Sequence, residues 1–205
     1  MIELYGAGPS RWAKCYWMLK ELGKEFTEHT VKFAEGELRS AKFLELNPFG
    51  KVPVLKDGKI TLFESTAIVN YLGEKYPESG LVPKSGTVER ALYDQWTSFC
   101  ITELEQPLWR ITKHSMILPE NQRIAQDVKL AKDEFAGLAK VLDVQIGNRK
   151  YIVGDRFTAA DITMCYTLGW AQGMEMVAPY KNCLRYWKDN TARPAFPKHL
   201  FQKQN

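Results

Sequence analysis

Two side chains in one short stretch, "GAGPSRWAKC" (Gly6 to Cys15), have the chemistry of a reaction centre. Ser10 follows a Gly/Pro turn where a helix is about to start, and Cys15 lies further into that helix. A hydroxyl at a helix start either caps the helix or donates to an anion held there. A thiol reacts only as thiolate; its free pKa of about 8.5 falls at a helix N-terminus. Periodicity separates the two. Cys15 falls with Trp12, Tyr16, Leu19 and Leu22 on one apolar stripe, the pattern of a buried, inert cysteine.

Two more stretches carry binding chemistry. In "NPFGKVPVL" (Asn47 to Leu55) a proline stands at the entrance of a strand. It reads as a trans proline on an edge strand, or as a cis peptide that turns the backbone of Val52 outward as a docking edge for an extended ligand. In "LFESTAIVNYL" (Leu62 to Leu72), Glu64 and Ser65 sit between a strand end and a helix start. The free N–H groups there attract an anion, Ser65 adds a hydroxyl, and Glu64 accepts from an ammonium group. Together they suit the carboxylate and amine of an α-amino acid; alternatively, Ser65 is only an N-cap.

These stretches need elements to hold them. The order read along residues 1–76 is β-α-β-(helix or loop)-β-β-α. "IELY" and "EFTEHTVKF" are strands, "SRWAKCYWMLKELG" a helix, and "VPVLKDGKITLF" a hairpin turning at Asp57-Gly58. "STAIVNYLGEKY" is a helix ended by Pro77. Such an order gives a small mixed sheet covered by helices. The Pro/Gly/Ser-rich residues 77–86 read as a linker, and long helical patterns dominate residues 87–205, an all-α domain in which only "KYIVG" looks extended. Thr158 and Asp161 have capping-box spacing.

Composition narrows the function classes. A net charge of +4 with both signs interspersed is a solvated surface and not a nucleic-acid footprint. The longest apolar stretch, residues 162–178, contains Gln172 and Glu175 and reads as buried helix, so no membrane partner is expected. The cysteines Cys15, Cys100, Cys165 and Cys183 form no CxxC or Cys/His cluster. Neither a metal site nor a disulfide framework follows, and a cytoplasmic location with reduced thiols does.

Taken together, "LYGAGPS…LKELG", "GELRSAKFLELNPFGKVPVL" and "FESTAIVNYL" resemble the N-terminal domain of cytosolic glutathione S-transferases. "GDRFTAADITM" and "YWKDNTARPAF" resemble that family's C-terminal capping box and closing helix, so the resemblance spans nearly the whole chain. It implies an α+β thioredoxin-like domain followed by an all-α domain, in a serine-type, phi/theta-like member of bacterial or related origin. It implies glutathione as co-substrate, no metal, a small hydrophobic electrophile as second substrate, a role such as detoxification, and a homodimer.

The resemblance also assigns roles. Ser10 donates to the glutathione sulfur and favours its thiolate, with Arg11 adding positive potential. Glu64 and Ser65 bind the γ-glutamyl head. Pro53 is cis, and Val52 pairs its backbone with the cysteinyl unit. Arg39 and Lys51 face the glycine carboxylate. Trp12, Trp109, Lys113 and Met116 line the electrophile site. Tyr5 is a minor alternative to Ser10, because other classes use a first-strand tyrosine. Thr66 stands where many members carry an arginine that serves the subunit interface, which puts that polar contact in doubt. A glutathione-dependent disulfide reductase or peroxidase on the same scaffold, and a non-catalytic binding module, remain the alternatives.

Overall fold

The structure is a computed structural model that describes residues 1–201. The chain forms two compact units, one of Met1–Lys84 joined by the chain from Arg193 on, the other of Ser85–Ala192.

The first unit is built on four strands: β1 (Ile2–Gly6), β2 (Thr27–Thr30), β3 (Val54–Asp57) and β4 (Ile60–Phe63), in the spatial order β2-β1-β3-β4. β1 runs parallel to β2 and antiparallel to β3, which pairs antiparallel with β4. The parallel pair requires a crossover, supplied by α1 (Trp12–Glu21); the antiparallel pair β3–β4 needs only the two-residue turn Gly58–Lys59, one residue past the expected Asp57-Gly58. Alternation along β1 buries Ile2, Leu4 and Gly6 and leaves Glu3 and Tyr5 half-buried. Gly6 is obligatory: a Cβ there would lie 2.1 Å from the Trp12 ring, so the glycine lets α1 close onto the strand. α3 (Ser65–Lys75) packs beside α1. A separate cluster of Val31, Phe43 and Val54, joined by Tyr5, Leu38, Leu46 and Val52, holds α2 (Ala41–Leu46).

The chain from Arg193 is fastened to this unit by charge and by ring contacts. Arg193 donates through Nε and Nη2 to the two carboxylate oxygens of Glu21 at 2.7 and 2.8 Å, and Phe196 stacks edge-on against Trp17. The composition of residues 87–205 shows helix and gives no sign that the chain leaves the helical unit at Arg193.

The second unit contains α4 (Val88–Phe99), α5 (Glu105–Thr112), α6 (Ala125–Ile146), α7 (Ala159–Gly173) and α8 (Lys181–Thr191). α-Helix gives way to wider π-helical turns at Cys100–Leu104 and Lys113–Ile117. α7 is buried along most of its length. "KYIVG" is not a strand: residues 151–153 form bends, because the Ile152 N–H turns inward to Asp161 at 2.8 Å. Asp161, fully buried, also accepts from the Thr158 N–H at 2.8 Å, its half of the capping box of α7, and separately from the Tyr186 hydroxyl at 2.6 Å. No described helix is long and apolar enough to cross a membrane.

Candidate functional site

Strand register brings the chemically equipped stretches to one end of the sheet. Tyr5 of β1 pairs with Val54 of β3, which pairs with Phe63 of β4. The turn after β1 (Ala7 to Ser10), the entry to β3 (Val52–Pro53) and the exit from β4 (Glu64–Ser65) therefore emerge side by side. Gly6 pairs with Thr30, so β2 also ends here and leads toward Arg39. The proposed glutathione-binding residues all belong to the first unit.

Ser10 is partly exposed and precedes α1 by two residues. Its hydroxyl caps no helical N–H; it donates to the Ala7 carbonyl at 2.8 Å, while its own carbonyl accepts from the Ala13 N–H at 2.8 Å. The backbone thus holds Ser10 at the mouth of α1 with a hydroxyl free to rotate to a better acceptor.

Val52–Pro53 is a cis peptide. Val52 lies outside the β1–β3 pairing, which begins at Val54. Glu64 has φ 71° and ψ 113°, left-handed backbone that costs a non-glycine residue about 1–3 kcal/mol and clusters at functional sites. It is exposed, whereas Ser65, the first residue of α3, is only 5% exposed. Glu64 holds the N-cap position, its carbonyl accepting from the Ile68 N–H at 3.0 Å, and Ser65 is the first helical residue and not the N-cap. The first N–H groups of α3 lack intrahelical partners and carry the positive end of the helix dipole.

Cys15 is fully buried, its thiol directed to the Ser65 carbonyl at 3.6 Å, and burial pushes its pKa up. Tyr5 is also ill placed for thiolate chemistry. Its hydroxyl donates to Glu3 at 2.8 Å, its ring stacks on His29 at 4.2 Å, and burial with the Glu3 carboxylate raises its pKa to about 12.

Arg39 and Lys51 are both exposed; Arg39 precedes α2, and Lys51 lies in the loop between α2 and β3. Asn47, 2% exposed, clamps that loop: its Nδ2 donates to the Lys51 carbonyl at 2.7 Å and its Oδ1 accepts from the Phe49 N–H at 3.1 Å. Sequence reasoning passed over Asn47, although an Asn-Pro-x-Gly run is a turn signal. Among the described residues no group of three or more His, Cys, Asp or Glu could hold a metal ion.

Residues 1–74 match the profile described as "Glutathione S-transferase, N-terminal domain", and residues 99–194 match "Glutathione S-transferase, C-terminal domain". The chain belongs to the glutathione S-transferase family. Glutathione S-transferase F10 of Arabidopsis thaliana is 32% identical, covering 87% of this chain and 86% of its own. Glutathione transferase F7 of Populus trichocarpa shares the fold with a TM-score of 0.88 at 24% identity, covering 98% of this chain and all of its own. The glutathione transferase URE2P6 of Phanerochaete chrysosporium, solved in complex with oxidized glutathione, superposes with a TM-score of 0.84 at 25% identity, covering 96% of this chain and 93% of its own.

The four residues expected at an electrophile site differ in exposure and divide between the two units. Trp12, in the first unit, is 1% exposed, packed on Gly6 and Tyr16. In the second unit, Trp109 of α5 and Lys113 are partly buried, and Met116 is 72% exposed. The deep burial of Trp12 makes it a core residue first.

Proposed function

We propose that the protein is a glutathione transferase of the serine type, with Ser10 as the donor that stabilises the glutathione thiolate. The observation that carries this reading is the convergence of Ser10, the Val52–Pro53 edge and the Glu64–Ser65 helix start at one end of the sheet, in a chain of this family. Glu64 holds the γ-glutamyl ammonium, Ser65 and the first N–H groups of α3 hold its carboxylate, Val52 pairs with the cysteinyl backbone, and Arg39 and Lys51 face the glycine carboxylate.

The chemistry then needs little from the protein beyond position and charge. The bound thiol loses its proton to solvent. The Ser10 hydroxyl turns from the Ala7 carbonyl to the sulfur, the thiolate attacks an electrophilic carbon, and a C–S bond forms as the leaving group departs with its electron pair. All four cysteines are buried and free, and burial raises the thiol pKa of Cys15, Cys165 and Cys183, so disulfide exchange on this scaffold would run through glutathione's own sulfur.

The second substrate is a small hydrophobic electrophile, the location cytoplasmic and the assembly a homodimer. Exposed apolar side chains such as Phe49 in the first unit and Val88 in the second are compatible with self-association.

Conjugation of a chlorinated dinitroaromatic tests the reading. Wild type is expected to show saturable, glutathione-dependent turnover that Ser10→Ala loses by about five- to tenfold, the scale of exchanging the bond to the Ala7 carbonyl for one to a charged sulfur. Activity on a small disulfide alone would favour the reductase, and failure to bind immobilised glutathione would favour the non-catalytic module.

A further inference from the structure

The loop that carries Lys51 toward Val52 is short, exposed at Pro48 and Phe49, and rich in residues that turn. Left to itself such a loop samples many conformations, and a ligand that orders it loses affinity accordingly. Here one buried side chain removes that freedom. The Asn47 carboxamide spans the turn, donating to the Lys51 carbonyl at 2.7 Å and accepting from the Phe49 N–H at 3.1 Å. Its own backbone closes the structure on both sides: the Asn47 N–H donates to the Phe43 carbonyl at the end of α2 at 3.0 Å, and the Asn47 carbonyl accepts from the Gly50 N–H at 2.9 Å.

Gly50 ties this clamp to the second cation. It is buried, with φ 59°, and a Cβ on it would lie 2.7 Å from the Leu38 carbonyl oxygen and 2.9 Å from Nη1 of Arg39. The turn held by Asn47 is therefore pressed against the Arg39 segment, and only a glycine allows that approach. Lys51 and Arg39, distant in sequence, lean on one rigid turn.

We propose that Asn47 is a positioning residue for glutathione: through the Lys51 carbonyl and the Gly50 contact it fixes the two cations that receive the glycine carboxylate, without taking part in thiol activation. This inference rests on the glutathione reading given above. It predicts a defect confined to one end of the ligand. Asn47 touches neither the Ser10 turn nor the Glu64–Ser65 helix start through any hydrogen bond of its side chain.

The experiment compares glutathione with γ-glutamylcysteine, which lacks the glycine, in wild type, Asn47→Ser, Asn47→Ala and Gly50→Ala, against one fixed chlorinated dinitroaromatic. A serine hydroxyl can still accept from the N–H two residues on, so Asn47→Ser isolates the Lys51 bond. Gly50→Ala reaches the same turn from its other side, should the Asn47 variants fold poorly. In Asn47→Ala the KM for glutathione is expected to rise about tenfold with kcat within about twofold, and the KM for γ-glutamylcysteine to change less than about threefold. Asn47→Ser and Gly50→Ala are expected to show the same selective loss.

Equal penalties on both thiols, or a lower melting temperature with both KM values unchanged, would overturn the proposal and leave Asn47 a structural residue. A wild type that uses both thiols equally well would also overturn it, while leaving the transferase reading intact. A wild type that uses neither would remove the transferase reading itself.

Discussion

Replacing Glu21 by alanine should loosen the chain from Arg193 on, and the cost follows from the geometry. The Glu21 side chain is 7% exposed and that of Arg193 32%. Its carboxylate accepts three hydrogen bonds: two from the Arg193 guanidinium at 2.7 and 2.8 Å and one from the Trp17 indole N–H at 2.9 Å. Breaking a buried ion pair by removing one partner costs about 3–5 kcal/mol, and an exposed pair is worth about 0.2–1. With Arg193 about a third exposed the pair falls between, near ~2 kcal/mol. Removing the acceptor of the buried Trp17 N–H adds about 1 kcal/mol. A loss of ~3 kcal/mol in a chain of this size lowers Tm by about 6–12 °C. Thermal melts followed by circular dichroism measure it, and limited proteolysis should find the chain after Arg193 cleaved earlier in the variant. Arg193→Lys keeps the charge but cannot bridge both oxygens, and should fall between wild type and Glu21→Ala. A Glu21→Ala protein melting within about 2 °C of wild type, with unchanged proteolysis, would refute the reasoning.

Two further outcomes follow from titratable groups. Asp57 at the β3–β4 turn accepts from the Lys75 ammonium and from the Tyr71 hydroxyl at 2.8 Å, and these bonds hold its pKa below the usual carboxylate value. A depressed folded pKa contributes stability above the unfolded value of about 3.9 and loses it as pH falls through the folded one. The stability gap between wild type and Lys75→Met, read from urea midpoints, should therefore be steady at neutral pH and close in acid; a gap independent of pH would contradict it. The buried cysteines predict that native protein resists an alkylating reagent and keeps its glutathione turnover, whereas denatured protein exposes four thiols. Cys15→Ala should likewise retain turnover, and inactivation that tracks modification of Cys15 would contradict the assignment to Ser10.

Local patterns carried much of this in the sequence. The stripe of Trp12, Cys15, Tyr16 and Leu19 placed Cys15 in the core because a helix repeats every 3.6 residues, and all four are buried. Gly58 marked the β3–β4 hairpin, but one residue later than the Asp57-Gly58 reading placed it: Asp57 still pairs with Ile60, and the two-residue loop is Gly58–Lys59. The Thr158–Asp161 box formed because its two bonds are local. What pattern could not show depends on distant partners. Tyr5 alternates like any strand residue, and only the register with β2 and the side chains of Glu3 and His29 commits its hydroxyl elsewhere. Glu64 gives no sign of its left-handed backbone, since that is imposed by the turn from β4 into α3. The Glu21–Arg193 pair joins residues 172 apart, beyond any periodicity.

The most direct test of Ser10 is the thiol pKa of bound glutathione, titrated by ultraviolet absorbance of the thiolate in wild type and Ser10→Ala. The hydroxyl donates to the Ala7 carbonyl at 2.8 Å, so turning to the sulfur exchanges one bond for another. The gain is the difference between a bond to a charged acceptor, about 1.5–3 kcal/mol, and one to a neutral acceptor, about 0.5–1.5. That difference of about 1–1.5 kcal/mol corresponds to roughly one pKa unit. Ser10→Ala should therefore still bind glutathione, with the thiol pKa raised by about one unit. Glutathione bound by the variant with an unchanged thiol pKa would contradict the account.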